Sequence, residues 1–171
     1  MKDLIKKILK EETKDEYILE IPNLMFIPNV DLGTSEGITE AWNELLRLLK
    51  GKPFMFDDDL YLGGTKITSL GNLQSVNGDL SLYVCEELTS LGDVKSVVGN
   101  LNLRLCYKLT SLGNLRSVGG SLHLFDCINL SSLGDLRSVG GDLDLYETPI
   151  SKKYSKEEIR QMVDVKGEIY L

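Results

Sequence analysis

The sequence predicts an α/β solenoid, a coil of stacked turns with one curved parallel sheet, and three observations lead to this fold class. First, consecutive segments that begin at Leu80, Leu101 and Leu122 are each 21 residues long and share most of their residues, while segments that begin at Leu60 and Leu143 follow the same opening. Second, numbered from that first leucine, apolar residues recur at positions 1, 3, 9, 12, 15 and 18, with cysteine at position 6. Third, one such unit cannot bury its own apolar face, so neighbouring units must stack to complete a core.

The spacing within a unit predicts where the strand lies. The opening L-x-L has the period of 2 that is typical of a strand with one buried face. The following L-x-x-L-x-x-L-x-x-V has a period of 3, which fits short 3₁₀ or polyproline-like segments better than a strand or a long helix. We therefore expect one short strand per turn. A parallel β-helix is the alternative, and it is less favoured because its additional strands should show a period of 2.

The repeated motif resembles that of a known family. L-x-L-x-x-C-x-x-L occurs at Leu80–Leu88, Leu101–Leu109 and Leu122–Leu130, and over residues 54–171 the chain resembles the leucine-rich repeat family, in particular the short cysteine-containing repeats of bacterial and phage proteins. The resemblance implies a right-handed coil and a surface for protein–protein interaction. One departure is the step of four residues from Val118 to Leu122, where the family pattern steps by three.

The segments outside the repeats are expected to cover the ends of the coil, because bare end turns would expose core and strand edges. Apolar spacing after Thr34 predicts a helix, and SKEE at Ser155–Glu158 has the form of a capping box that opens another. The predicted organisation is an amphipathic arm at 1–16, an N-terminal cap at 17–59 with a helix at about 38–50, the repeats at 60–148, and a C-terminal cap at 149–171 with a helix at about 156–163 and a final strand at 168–171.

Charge and composition exclude several partners. The net charge is −7 and the pI is near 4.8, which argues against binding to nucleic acid or to an anionic membrane surface. The sequence has no long apolar run and no secretory signal pattern, and three cysteines do not make a disulfide scaffold. We expect a cytoplasmic protein of a reducing compartment, or a virion-associated one.

The cysteines and glycines fall in columns that predict structural roles. Cys85, Cys106 and Cys127 share one position, which Thr65 and Thr148 fill in the flanking turns. Parallel side chains in a stack do not converge on a metal ion, so we expect buried, reduced thiols, no metal site and no cofactor.

Glycine precedes each L-x-L strand, where the chain must turn sharply. We expect these glycines to adopt positive φ, which glycine does at low cost. They are Gly78, Gly99, the pair Gly119 and Gly120, and the pair Gly140 and Gly141.

Two columns on the outward face of the predicted sheet are the candidate binding site. Position 4 carries contact-prone aromatic and arginine side chains, and position 2 carries polar ones beside them. The candidates are Tyr83, Arg104, Phe125 and Tyr146 at position 4, and Asn102, His123 and Asp144 at position 2. The alternative is that stacked aromatic rings only support the sheet.

These residues predict a non-catalytic module that binds another protein. His123 is the only histidine, and no serine or cysteine is suitably placed beside it for nucleophilic catalysis, so no catalytic residue is assigned. The alternative function is a structural or assembly component, possibly of a phage particle, in which residues 1–16 serve self-assembly or virion assembly.

Overall fold

The computed structural model describes residues 19–21 and 33–171, and it shows a parallel-strand β-solenoid of about four turns with a 21-residue period. The turns begin at Leu60, Leu80, Leu101 and Leu122, and a fifth starts at Leu143. The predicted arm at 1–16 lies outside the described residues, and so do residues 17–18 and 22–32 of the predicted N-terminal cap.

Two parallel sheets run along the solenoid, and each turn contributes one strand to each. The first sheet contains β1 (Leu19–Ile21), β2 (Phe54–Phe56), β4 (Leu73–Val76), β6 (Ser96–Val97), β8 (Ser117–Val118), β10 (Ser138–Val139) and β12 (Asp164–Val165), in that order. The second contains β3 (Leu60–Tyr61), β5 (Leu80–Ser81), β7 (Leu101–Asn102), β9 (Leu122–His123), β11 (Leu143–Asp144) and β13 (Ile169–Tyr170).

The prediction of one strand per turn was therefore wrong. The additional strand lies at positions 17 and 18, for example Ser117–Val118, which pairs with the same positions of the turns before and after. In most turns this strand is only two residues long and has a single inward side chain, so a period of 2 could not appear in it. Short straight segments separated by corners produce the observed period of 3.

Most of the buried positions are the ones that the spacing predicted, and Leu133 at position 12 of the fourth turn is only partly buried. In the turn that begins at Leu101, the side chains of Leu101, Leu103, Cys106, Leu109 and Leu112 are fully buried. Equivalent residues of all turns form one continuous core. Each turn thus buries its apolar residues against the turns on either side, as expected for a stacked coil.

The prediction of positive φ for the glycines that precede the strands of the second sheet was also wrong. Positive φ occurs instead at Gly71, Gly92, Gly113 and Gly134, at position 13. There the hydroxyl of the serine two residues earlier accepts a hydrogen bond from the glycine N–H, at 2.9–3.0 Å.

The glycines before the strands of the second sheet are required by close approach. The residue after each of these glycines, for example Asp79 after Gly78, uses its side chain to accept a hydrogen bond from a backbone N–H of the following turn. For Asp79 the donor is Asn100 N, at 2.6 Å. A β-carbon at Gly99 would collide with that carboxylate and would lie 2.8 Å from Asp79 N and from Gly78 C. The same arrangement repeats along the solenoid through Asp59, Asp79, Asn100, Ser121 and Asp142.

Position 5 turns the chain out of the second sheet with a left-handed backbone. The φ angles are 59° at Val84, 63° at Leu105, 58° at Asp126 and 57° at Glu147, whereas Gly64 holds this position in the first turn. Only glycine adopts this region without strain, and a bulky or β-branched residue there is a genuine outlier. The stacking of the turns holds these residues in place.

Between the position-5 corner and the first sheet lies a third side, and its hydrogen bonding alternates. Thr89 N donates to Thr68 O and Ser131 N donates to Thr110 O, each at 3.0 Å. Ser69 pairs with Ser90 and Ser111 with Ser132 as isolated bridges. Among the described residues no such backbone bond joins 89–93 to 110–114.

Helix α1 (Ser35–Leu49) packs on this third side at the first turn. It begins three residues before the predicted start, because the Thr34 hydroxyl caps it by accepting from Gly37 N, and it ends at the left-handed residue Lys50. Trp42 is fully buried and its indole N–H donates to Ser69 O at 3.3 Å.

Two helices occupy the third side of the last turn. Helix α2 (Pro149–Lys153) was not predicted, and helix α3 (Lys156–Met162) opens with the predicted capping box. Arg160 of α3 donates to Val165 O at 2.7 Å and to Gly167 O at 2.9 Å. In the preceding turn the equivalent carbonyls, Val139 O and Gly141 O, accept the backbone N–H groups of the last turn. Arg160 therefore takes the place of a following strand of the first sheet.

Candidate binding face

The outward face of the second sheet carries the predicted residues in register. Asn102, His123 and Asp144 are the second residues of β7, β9 and β11, and they pair directly with one another. Position 4 lies two residues further along the chain. Its backbone carbonyl accepts a hydrogen bond from the backbone N–H at position 5 of the preceding turn, for example from Leu105 N to Phe125 O at 3.0 Å. Tyr83, Arg104, Phe125 and Tyr146 therefore form one column across four turns, at about 4.8 Å per turn.

Arg104, His123 and Asp144 form a cluster that crosses three turns. The Arg104 guanidinium donates from Nη2 to His123 Nδ1 at 3.2 Å, and Nη2 lies 3.6 Å from Asp144 Oδ2. Because the guanidinium can only donate, Nδ1 of His123 must accept, and the proton of the neutral imidazole then lies on Nε2. The cluster fixes Arg104 along the face instead of leaving it extended into solvent.

This environment favours neutral His123. Burial lowers the pKa of His123 below its ordinary value of 6.5, and the positive charge of Arg104 lowers it further, while Asp144 and Asp142 oppose the shift. Protonation would place a cation at the nitrogen that accepts from Arg104. The cluster in the structure is thus the arrangement of the unprotonated histidine.

The aromatic side chains remain accessible. Tyr83 is 46% exposed, Phe125 36% and Tyr146 49%. The rings of Phe125 and Tyr146 stack with centroids 5.8 Å apart and an interplanar angle of 6°. Such stacking supports neighbouring strands by about 0.5–1.5 kcal/mol, yet it leaves a large part of each ring open to a partner.

Two of the candidate polar residues also support the backbone. Asn102 Oδ1 accepts from Arg104 N, and Asp144 Oδ1 accepts from Tyr146 N, both at 3.2 Å. These two side chains therefore fix the backbone at position 4 of their own turns. Substitution of Asn102 or Asp144 would disturb the scaffold of the face as well as its surface.

The cysteines are free thiols buried beneath this face. Cys85, Cys106 and Cys127 donate to the carbonyl oxygens of Leu62, Leu82 and Leu103 in the preceding turns, at 3.0–3.2 Å. Burial raises the pKa of all three thiols, and that of Cys127 reaches about 11. A thiol of this kind is protonated at neutral pH and therefore a poor nucleophile or metal ligand.

The potentially reactive groups at this face are His123 and its acidic neighbours. In 33–171 the hydrogen-bond partner of His123 is Arg104, not a hydroxyl or thiol. In the same part of the chain no group of three histidine, cysteine or acidic side chains is placed to hold a metal ion.

One set of exposed or half-buried residues was missed by the sequence reasoning. Position 7, just beyond the cysteine, places Glu86, Tyr107 and Ile128 at the edge of the aromatic column, and Asp126 lies beside them at position 5. Tyr170 of β13 also extends the position-2 column, because it pairs with Asp144. The signal was present in the repeat alignment, but these positions vary from turn to turn and do not form a uniform column.

Comparison with protein-family models, with curated proteins and with solved structures found no match. The resemblance to leucine-rich repeats therefore rests on the motif alone. In the described part of the chain no helix combines the length and the apolar character that a membrane crossing requires.

Proposed function

We propose that this chain is a non-catalytic interaction module that binds a partner protein through the outward face of the second sheet. The observation that supports the proposal best is the accessible column of Tyr83, Phe125 and Tyr146 with Arg104 held among them. Aromatic and arginine side chains supply much of the contact energy in protein interfaces. Because Arg104 is already oriented by His123 and Asp144, binding would require little further loss of side-chain entropy.

The proposal includes the class and the location of the protein. We place the repeats with the leucine-rich repeat family on their motif, and the protein in a reducing compartment of the cell or on a virion. Free thiols at all three cysteines support the reducing compartment.

A crosslinking experiment tests where the partner binds. A photoreactive phenylalanine analogue at Tyr83 should give a discrete covalent adduct with one protein of the source cell. The same analogue at Lys95, an exposed residue beside the first sheet, should not. Adducts of equal yield from both positions would contradict a specific face.

A pair of double variants then measures the contribution of the face to affinity. Arg104→Ala with Phe125→Ala should weaken binding of the crosslinked partner at least about tenfold, or about 1.4 kcal/mol, with little change in Tm. The matched control is Arg116→Ala with Val98→Ala, which removes one arginine and one exposed apolar residue from the side of the first sheet. A lower Tm with unchanged affinity for the partner would show that the column at position 4 stabilises the fold and does not bind the partner.

A further inference from the structure

We propose that Tyr83, Glu86, Tyr107 and Asp126 form a seat for a lysine or arginine side chain of the partner, so that the segment bound at this face is basic. This inference rests on the proposed function, because the seat lies at the edge of the same aromatic column. It adds the charge of the partner segment.

The repeat geometry brings these four residues together. Glu86 and Tyr107 hold position 7 in consecutive turns, and Tyr83 and Asp126 hold positions 4 and 5 on either side. The corner is held by Val84 N donating to Arg104 O at 2.9 Å and by Asn129 Nδ2 donating to Tyr107 O at 2.7 Å. Two tyrosines and two acidic residues therefore occupy neighbouring positions of consecutive turns at this corner.

The charges at this corner are unbalanced. The cations around the face are already in ion pairs: Arg104 with Asp144, Lys108 with Glu87 at 2.6 Å, and Lys152 with Glu147 at 3.6 Å. Neither Glu86 nor Asp126 forms a side-chain hydrogen bond or an ion pair within the described residues 33–171. The corner thus presents two carboxylates that no cation of this part of the chain neutralises.

The environment of Tyr107 agrees with this placement. Burial raises the pKa of Tyr107, and the negative charges of Asp126 and Glu86 raise it further. Glu86 lies in the turn before Tyr107 and Asp126 in the turn after it, which agrees with the direction of this shift.

The chemistry of the corner selects a cation. The face of a tyrosine ring attracts ammonium and guanidinium groups, and a nearby carboxylate adds a direct ion pair. An acidic segment would be repelled by Glu86, Asp126 and the net charge of −7. A purely apolar segment would leave the two carboxylates without a partner.

Capped synthetic peptides test the seat directly. Peptides of sequence GRGRGRG and GKGKGKG carry the required charge on an extended backbone, while GEGEGEG and GSGSGSG are the charge-reversed and neutral controls. We expect the two basic peptides to bind the full chain and to shift the NMR ring signals of Tyr83 and Tyr107, and the other two peptides not to bind.

Neutral isosteres separate the seat from general attraction to an acidic protein. Glu86→Gln with Asp126→Asn should lower the affinity for GRGRGRG at least about tenfold. Asp135→Asn with Glu157→Gln removes the same amount of charge from exposed positions away from this face and should change the affinity less than about twofold.

The outcomes distinguish this inference from the proposed function. Equal losses in both double variants, or equal binding of GEGEGEG, would overturn the seat. Suppose that Glu86→Gln with Asp126→Asn binds GRGRGRG with normal affinity while Arg104→Ala with Phe125→Ala no longer binds the partner. The proposed seat is then refuted, and the proposed binding face is supported. If the seat binds the peptide but the face variant keeps full affinity for the partner, the proposed function fails.

Discussion

The contact between Gly99 and Asp79 allows a sharp test of how the turns are held together. In Gly99→Ala the new methyl group collides with the Asp79 carboxylate, and rotating that side chain away does not suffice because Asp79 N and Gly78 C also lie 2.8 Å from the β-carbon. The two turns must separate locally. We therefore expect the loss of the bonds that Asn100 N and Nδ2 donate to Asp79 Oδ1, at 2.6 and 3.1 Å, and of the bond that Gly99 N donates to Gly78 O at 3.0 Å.

The magnitude follows from these bonds. The two bonds from Asn100 share the acceptor Asp79 Oδ1 and are counted as one contribution of about 1.5–3 kcal/mol to a charged acceptor, and the neutral backbone bond adds about 1 kcal/mol. Gly99→Ala should therefore destabilise the protein by about 2.5–4 kcal/mol. The control is Gly113→Ala, at φ 57° with no atom within 4 Å of the β-carbon. Its cost should be only the left-handed strain of about 1–2 kcal/mol.

Urea unfolding measures both variants. The single tryptophan, Trp42, is fully buried and reports on the first turn by fluorescence, while far-ultraviolet circular dichroism reports on the whole chain. A loss of stability in Gly113→Ala that equals or exceeds that in Gly99→Ala would refute the close-approach argument. The double variant Asp79→Ala with Gly99→Ala should be less destabilised than the sum of the two single variants, because each change removes the same bonds.

Four further predictions concern single positions. Cys106→Ser should cost only about 1 kcal/mol because a hydroxyl can also donate to the preceding turn, and native Cys106 should resist thiol reagents until urea unfolds the protein; rapid modification would contradict its burial. Glu147→Gly should be more stable in urea than Glu147→Ala by about 1 kcal/mol, since both lose the same side chain and only glycine is unstrained at positive φ; equal stability would show that the strain is negligible. Because the folded pKa of His123 is below the unfolded value of 6.5, its contribution to stability is complete above pH 6.5 and falls as the pH decreases toward the folded pKa, and His123→Gln should remove that slope from urea unfolding measured across this range. Leu103→Asp should abolish cooperative unfolding by circular dichroism, since a charge buried without a partner costs several kcal/mol out of a total of about 5–15, whereas Leu103→Met should fold.

The repeat pattern was sufficient to predict stacking, period and core, because buried positions must repeat where each turn meets the next. It was insufficient for the strands of the first sheet, since two residues such as Ser117–Val118 cannot display a period. The glycine prediction was wrong for a related reason. The requirement at Gly99 comes from Asp79, twenty residues earlier, and not from the local backbone.

The candidate face was predicted in part. Register alone brings Asn102, His123 and Asp144 side by side, because equivalent positions in a solenoid must be neighbours. The reach of Arg104 across two turns depends on the conformation of a long side chain, which a sequence does not specify. Tyr107 and Asp126 were missed because the role proposed for them arises from neighbours at different repeat positions.

The bonds of the third side make the interfaces between turns unequal. There, backbone bonds join the first turn to the second and the third to the fourth, whereas within the described residues none joins the second to the third. The second and third turns are held together by the two sheets, by the bond from Cys106 Sγ to Leu82 O and by the ion pair of Lys108 with Glu87. We therefore expect this interface to open at a lower free energy than the interface between the first and second turns, and Tyr83 and Phe125 lie on opposite sides of it.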